Sequence, residues 1–303
     1  MNGKTPHIVQ YQGSKRILAP TILESMPQKF NRLIEPFSGM AAMTIATALN
    51  NRADSYHIND INAPIVAILE EAINNPSALL EKYTKVWGEQ FEYVSGHIEH
   101  FYHIRKLFNE GGQTAEHMLY LLARCVKGAV RYDKNGRFNQ SPDKRRHGTT
   151  PKNLEKNIFQ ISYFLKGKAT FSSSDYRSVL DDAQCGDIVY MDPPYQGVTN
   201  KADGRYISGL EYDDFVESIK VLDKRGIDYI ISYDGVCGDK EYGLSLPSEL
   251  QCSKALINAG LSSQATLLGR RSMTLEALYV SNGLTEKIAP ILHEQVSLLE
   301  YAL

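Results

Sequence analysis

The sequence predicts an α/β protein, an open and mainly parallel sheet covered by helices and interrupted once by a largely helical insertion. Three observations predict it. Short β-branched or aromatic runs alternate with segments of helical period. Two of those runs are separated by about residues 62 to 155, far more than one crossover helix needs. The runs end in acidic or glycine-containing turns, the edge where open α/β sheets collect ligands. With 303 residues, 43% of them hydrophobic, the chain can bury a full core in one large domain or in one domain carrying another.

In chain order, Arg32-Leu33-Ile34-Glu35 reads as the first strand, Pro36-Phe37-Ser38-Gly39-Met40-Ala41-Ala42 as a turn, and the small and apolar residues through Leu49 as a helix. Tyr56-His57-Ile58-Asn59-Asp60 is a second strand with an acidic end. Helical patterns follow over Ala63 to Asn74, Ser77 to Glu92, His97 to Asn109 and Ala115 to Lys127, and the insertion finishes in a basic, turn-rich stretch. Ala169-Thr170-Phe171 is the third strand, ending in Ser173-Ser174-Asp175-Tyr176. Asp187 to Met191 is the fourth, stopped by Pro193 and Pro194, which have no N–H for a sheet ladder. Tyr229 to Tyr233 is the fifth, ending at Asp234, while Gln264 to Leu268 and Ala277 to Val280 suggest a closing hairpin around Arg270 to Thr274. The expected division is 1–61 with 156–303 as one discontinuous domain and 62–155 as an inserted second one.

No run of eighteen apolar residues occurs, and the N-terminus lacks a signal-peptide pattern, so a cytoplasmic location with no membrane partner is expected. Cys125, Cys185, Cys237 and Cys252 lie far apart with no histidine at zinc spacing; they read as reduced thiols, and no metal is expected. The net charge of −2 does not announce a polyanion binder. Charge is uneven, however. Arg124, Lys127, Arg131, Lys134, Arg137, Lys144, Arg145, Arg146 and Lys152 are opposed only by Asp133 and Asp143. Such a stretch could follow a phosphate backbone, or serve only as a solvated loop.

The most specific chemistry lies in Asp192-Pro193-Pro194-Tyr195. The Asp192 carboxylate and the Pro193 carbonyl can each accept a hydrogen from one exocyclic amino group, and Tyr195 offers a face for a heteroaromatic ring. Two acceptors on a nitrogen that becomes positive during attack stabilise the transition state of amino methylation. The bland alternative is a turn after a strand. Gly39 lets a ligand approach the first strand-helix turn, and Asp60 is placed to accept from ribose hydroxyls. The turn departs from G-x-G-x-x-G and no P-loop occurs, so nicotinamide and ATP readings fall.

Taken in order, Tyr11-Gln12-Gly13-Ser14-Lys15, Glu35 to Ala41, Asn59-Asp60-Ile61-Asn62, Val130 to Asp133 with Gly136 to Asn139, and Asp192 to Tyr195 make the chain resemble the Dam-type (alpha-class, D12) DNA adenine-N6 methyltransferases. The resemblance covers nearly the whole chain. It implies a Rossmann-like sheet dependent on S-adenosylmethionine, with S-adenosylhomocysteine as product and no metal, and an inserted target-recognition domain. It implies Asp192, Pro193, Pro194 and Tyr195 as catalytic residues. Tyr11, Lys15, Glu35, Pro36, Phe37, Gly39, Asp60, Asp175, Tyr176 and Asp192 take the cofactor side. Arg124, Lys127, Arg131, Lys134, Arg137, Arg145 and Arg146 are the DNA candidates, and Gly197 to Ser208 is either a loop over the extruded base or an ordinary surface loop. The implied partner is double-stranded DNA on the bacterial or phage nucleoid, with a cognate restriction endonuclease as a further expectation. Cytosine-N4 or RNA-adenine methylation, or a catalytically silent DNA-binding subunit, are the alternatives. Two departures stand out: Ala41 and Ser14 occupy positions where the family carries glycine.

Overall fold

Successive side chains of a strand point to opposite faces of a sheet. In the computed structural model, Leu33 and Ile34, Ile188 and Val189, and Tyr190 and Met191 each split in this way between two apolar cores. Strands buried on both faces belong to a parallel sheet covered by helices. The structure describes residues 5–194, 210–237, 240–242, 244–261 and 273–287. Tyr195, Gly197 to Ser208, Gln264 to Leu268 and Arg270 lie outside the described residues.

After a 3-10 turn at Lys15–Ile17, the elements are α1 (Ala19–Glu24), β1 (Phe30–Glu35), α2 (Ala42–Leu49), β2 (Ala53–Asn59), α3 (Ala63–Asn74), α4 (Pro76–Glu92), α5 (His97–Asn109) and α6 (Ala115–Arg124). There follow α7 (Pro151–Leu165), β3 (Ala169–Ser172), α8 (Tyr176–Asp181), β4 (Asp187–Met191), α9 (Tyr212–Arg225), β5 (Asp228–Cys237), β6 (Lys240–Tyr242), β7 (Cys252–Leu261) and β8 (Met273–Ser281). The sheet order is β3-β2-β1-β4-β5-β8-β7, with β6 paired to β5. Strands β3 to β5 along this path run parallel, while β8 and β7 are antiparallel additions. The fold is therefore the expected α/β class. From β1 the chain moves outward to β2 on one side, and β4 lies on the other. The carboxyl ends of β1 and β4 thus flank the crevice where such sheets bind ligands.

One core joins Leu33, Ile58, Ile188 and Tyr190 of the sheet to α2, α3 and α7 and onward to Phe101, Leu119 and Leu121 of the insertion. The stretch 62–155 thus shares its core with the sheet. The second core packs Phe215 and Ile219 of α9 and Val179 and Leu180 of α8 on Ile34, Val189, Met191 and Ile231. Helix α6 ends at Arg124 and not at Lys127, because Cys125 turns to an extended backbone at φ −75°, ψ 161°, and Lys127 beyond it is left-handed at φ +61°. Of the expected closing hairpin, Gln264 to Leu268 lies outside the described residues and Ala277 to Val280 falls within β8, which the structure places in a hairpin. Its first arm is Cys252–Leu261, paired with β8 from Cys252↔Ser281 to Leu261↔Met273. Lys254 and Asn258 interrupt the apolar character that a sequence reading looks for, yet Ala255 and Ile257 are buried against the core. Among the described residues, no helix is long and apolar enough to cross a membrane.

Candidate functional site

A cavity of about 300 Å³ opens at the carboxyl ends of β1, β2 and β4. Every residue expected on the cofactor side lines it: Tyr11, Lys15, Glu35, Pro36, Phe37, Gly39, Asp60, Asp175, Tyr176 and Asp192, with Pro193 and Pro194 beside them. Tyr195 lies outside the described residues.

The turn after β1 is built on backbone strain and tight contact. Gly39 has φ +48°, and a Cβ there would stand 2.9 Å from Cε1 of Tyr11. Only glycine meets both conditions without cost. The Gly39 amide donates to Oδ2 of Asp60 at 2.8 Å, while Oδ1 accepts from the Asn62 amide at 2.9 Å. Burial raises the Asp60 pKa, and these two amides oppose the rise. Asp60 thus ties the ends of β1 and β2 together and still faces the cavity. Asn59 adds a second tie, donating to the carbonyls of Pro36 at 2.9 Å and Ser174 at 3.0 Å. Ala41 takes the left-handed geometry at φ 53°, ψ 46° and sits at the start of α2.

Glu35 is 2% exposed and accepts from the Thr44 amide at 3.0 Å and its hydroxyl at 2.6 Å. Burial pushes its carboxyl up to about 7, against those hydrogen bonds. Phe37 and Tyr176 pack at 5.1 Å between ring centroids and give the cavity an aromatic wall. Asp175 caps α8 and pairs with Arg177 at 2.9 Å, which holds its carboxyl below the usual range. Arg177 also meets Asp214 of α9 at 3.2 Å. Asp175 is therefore a rim residue already engaged by a cation.

Asp192 is set at the end of β4. Its Oδ1 lies 2.9 Å from Nζ of Lys15, which also lies 2.8 Å from Oε1 of Glu276 on β8. Burial pushes Asp192 up to about 6; Lys15 lowers it and Glu276 raises it. Sequence reading placed Lys15 on the cofactor side but did not find Glu276. Nothing local could have signalled it, since it is brought to the site by an antiparallel strand late in the chain.

The basic segment folds into a small hairpin closed by a Tyr132↔Phe138 bridge. Asp133 Oδ1 accepts from the amides of Asn135 at 2.8 Å and Arg137 at 3.0 Å, and Asn109 clamps both backbone groups of Phe138. The Tyr132 hydroxyl donates to Asn62 Oδ1 at 2.9 Å, joining the hairpin to the cavity rim. Arg131, Lys134 and Arg137 are exposed on it, as are Lys127, Arg145 and Arg146 nearby. Arg124 differs: it is fully buried and donates to the carbonyls of Asp143 at 3.1 Å and His97 at 3.4 Å. It braces the chain's interior and offers no charge to a polyanion, which corrects its placement among the DNA candidates.

The family model of the D12 class N6 adenine-specific DNA methyltransferases matches residues 11–257. The chain belongs to that family. Among similar proteins, the type II methyltransferase M1.LlaDCHI of Lactococcus lactis subsp. cremoris is 27% identical over 74% of this chain and 79% of its own length. The retron Ec67 DNA adenine methylase of Escherichia coli is 28% identical over 72% of each chain. The DNA adenine methylase of Serratia marcescens is 27% identical over 63% of this chain and 67% of its own.

Proposed function

We propose that this D12 methyltransferase transfers a methyl group from S-adenosylmethionine to N6 of an adenine extruded from duplex DNA, leaving S-adenosylhomocysteine. The observation that carries the reading is Asp192 at the cavity: among the described residues Oδ1 is engaged by Lys15, and Oδ2 is left for an amino hydrogen. The donor set suits the cofactor. Buried carboxylates at Glu35 and Asp192 complement a cationic sulfonium, Asp60 can still accept from hydroxyls, and Phe37 and Tyr176 flank a flat ring.

When bound, S-adenosylmethionine supplies a methyl carbon on a positively charged sulfur that leaves readily, with no call for a Lewis acid. The chain's own residues then hold and orient. Rotating the base out costs a few kcal/mol, and the exposed Lys127, Arg131, Lys134, Arg137, Arg145 and Arg146 grip the phosphates around it. Asp192 Oδ2 and the Pro193 carbonyl accept the two amino hydrogens and direct the nitrogen lone pair at the methyl carbon. As the N–C bond forms and the C–S bond breaks, N6 gains positive charge beside an ionised Asp192. The N6 proton would depart to solvent after transfer, and Asp192 need not take it. Tyr195 is assigned the stacking face.

In this reading 62–155 carries target recognition and 1–61 with 156–303 carries catalysis. The enzyme works on nucleoid DNA in the cytoplasm, and a cognate restriction endonuclease is its expected companion; the type II name of the Lactococcus relative supports that pairing. The test is transfer of labelled methyl to unmethylated duplex DNA with nucleoside analysis of the product. N6-methyladenine made by the wild type and lost in Asp192→Ala is expected. Retained turnover in that variant, or N4-methylcytosine as product, sinks the assignment.

A further inference from the structure

We infer that Glu276 is a positioning residue for methyl transfer: from β8 it holds Lys15 against Asp192, so that the carboxylate keeps one oxygen turned to the acceptor base. The inference rests on the reaction proposed above.

Lys15 is 8% exposed and has its ammonium 2.9 Å from one carboxylate and 2.8 Å from the other. A lysine tail has many rotamers, and a single contact fixes the head poorly. Two anchors from different strands fix it. As a device for stability alone the arrangement is poor, because it sets two carboxylates of like charge around the same ammonium. Glu276 also opposes ionisation of Asp192. A second carboxylate with that cost is explained by geometry.

The approach of β8 is itself built. The β5–β8 register slips between Tyr233 and Gly235, leaving Asp234 bulged at φ +44°. Tyr233 packs on Phe215, and Asp234, also on the α9 side, accepts from Lys254 at 2.7 Å, Ser245 at 2.9 Å and Tyr279 at 3.0 Å. Two successive residues thus serve one face, which is what a bulge permits. Immediately after it Gly235 stands opposite Glu276. A Cβ on Gly235 would come within 2.6 Å of the Leu275 carbonyl oxygen and 3.4 Å of the Glu276 Cα. Alternation along β8 puts Glu276 on the same face as Leu278 and Val280, the face of the core that holds Tyr190, and Gly235 lets β8 approach closely there.

Among the described residues, Lys15 from the N-terminal turn and Glu276 from β8 act on the charge of Asp192, which in turn raises the pKa values of Tyr190 on β4 and Glu35 on β1. Removing the charge of Glu276 while keeping its oxygen should therefore ease ionisation of Asp192. The experiment compares wild type, Glu276→Gln and Glu276→Ala by two readouts: a carboxyl ¹³C NMR titration of Asp192 in the enzyme alone, and kcat and kcat/KM for DNA methylation across pH. Glu276→Ala should lower kcat about a hundredfold with little change in KM for DNA. Glu276→Gln should recover about tenfold of that loss, since its amide oxygen still accepts from Lys15, and should move both the Asp192 titration and the acid limb of kcat/KM down by about one pH unit. An unmoved titration in Glu276→Gln, or wild-type kcat in Glu276→Ala, overturns the positioning role. Absence of methyl transfer by the wild type would instead overturn the proposed reaction, and the titration would still judge the link between Glu276 and Asp192.

Discussion

Replacing Glu35 by glutamine should make the protein more stable at alkaline pH and a poorer binder of a cationic cofactor. The side chain is 2% exposed and accepts from the amide and hydroxyl of Thr44 and from the backbone amide of Met43. Its carboxyl moves from an ordinary 4.5 to about 7 on folding, chiefly through burial. Between those values the folded state holds a proton that the unfolded state has released. Stability is therefore fully present below 4.5 and falls as pH rises, with the loss complete above about 7. At 1.36 kcal/mol per pKa unit, the whole loss is roughly 3 kcal/mol, of which about 2 to 3 kcal/mol falls between pH 5 and pH 8. Asp192 acts in the same direction but largely cancels when wild type and Glu35→Gln are compared at each pH. The assay is urea denaturation of both proteins at pH 5 and pH 8. The glutamine variant should gain about 2 to 3 kcal/mol on the wild type across that interval. A gain below about 1 kcal/mol refutes the desolvation argument. In calorimetry, the variant should also lose affinity for S-adenosylmethionine relative to neutral-sulfur S-adenosylhomocysteine. Equal losses for the two would show that the carboxylate does not face the sulfonium.

Gly39→Ala forces a side chain into a left-handed turn, at a cost of about 1–2 kcal/mol, and drives Cβ to 2.9 Å from Tyr11; S-adenosylhomocysteine binding should weaken about tenfold, and unchanged affinity would refute the tight-turn account. Ala41→Gly should be nearly neutral. Relief of about 1–2 kcal/mol of strain is offset by about 0.4–1 kcal/mol of unfolded-state entropy and about 0.8 kcal/mol for a fully buried methyl, so a change above about 2 kcal/mol in denaturation contradicts this balance. Arg124→Ala should lose about 2–4 kcal/mol of stability by leaving a cavity and unpartnered carbonyls; a loss under 1 kcal/mol argues against a bracing role. Arg131→Ala, by contrast, should leave stability within about 0.5 kcal/mol and reduce the salt slope of DNA binding by about 0.9, and an unchanged slope would remove Arg131 from the phosphate contacts.

The residues of the cavity were legible because each motif is short and local. A strand, a turn and the start of a helix bring Glu35, Phe37 and Gly39 together over a few residues, and two prolines hold Asp192 at a strand end whatever surrounds it. The helices of the insertion were legible through their period, with α5 at His97–Asn109 found at its full extent. Other features depend on contacts between distant segments. Which basic residues face solvent could not be told from charge alone: Arg124 and Arg131 look alike in sequence, and only packing buries the first between His97 and Asp143. The pairing of Cys252–Leu261 with β8 needed a partner strand to make sense of Lys254 and Asn258. Glu276 has no local signal at all. The sequence by itself determined the chemistry at the ends of β1, β2 and β4, because side-chain type and turn geometry are encoded within each segment. Only the tertiary structure decided which charges meet, because the desolvation and pairing that set Lys15, Asp192 and Glu276 arise when the antiparallel strand β8 closes on a parallel sheet.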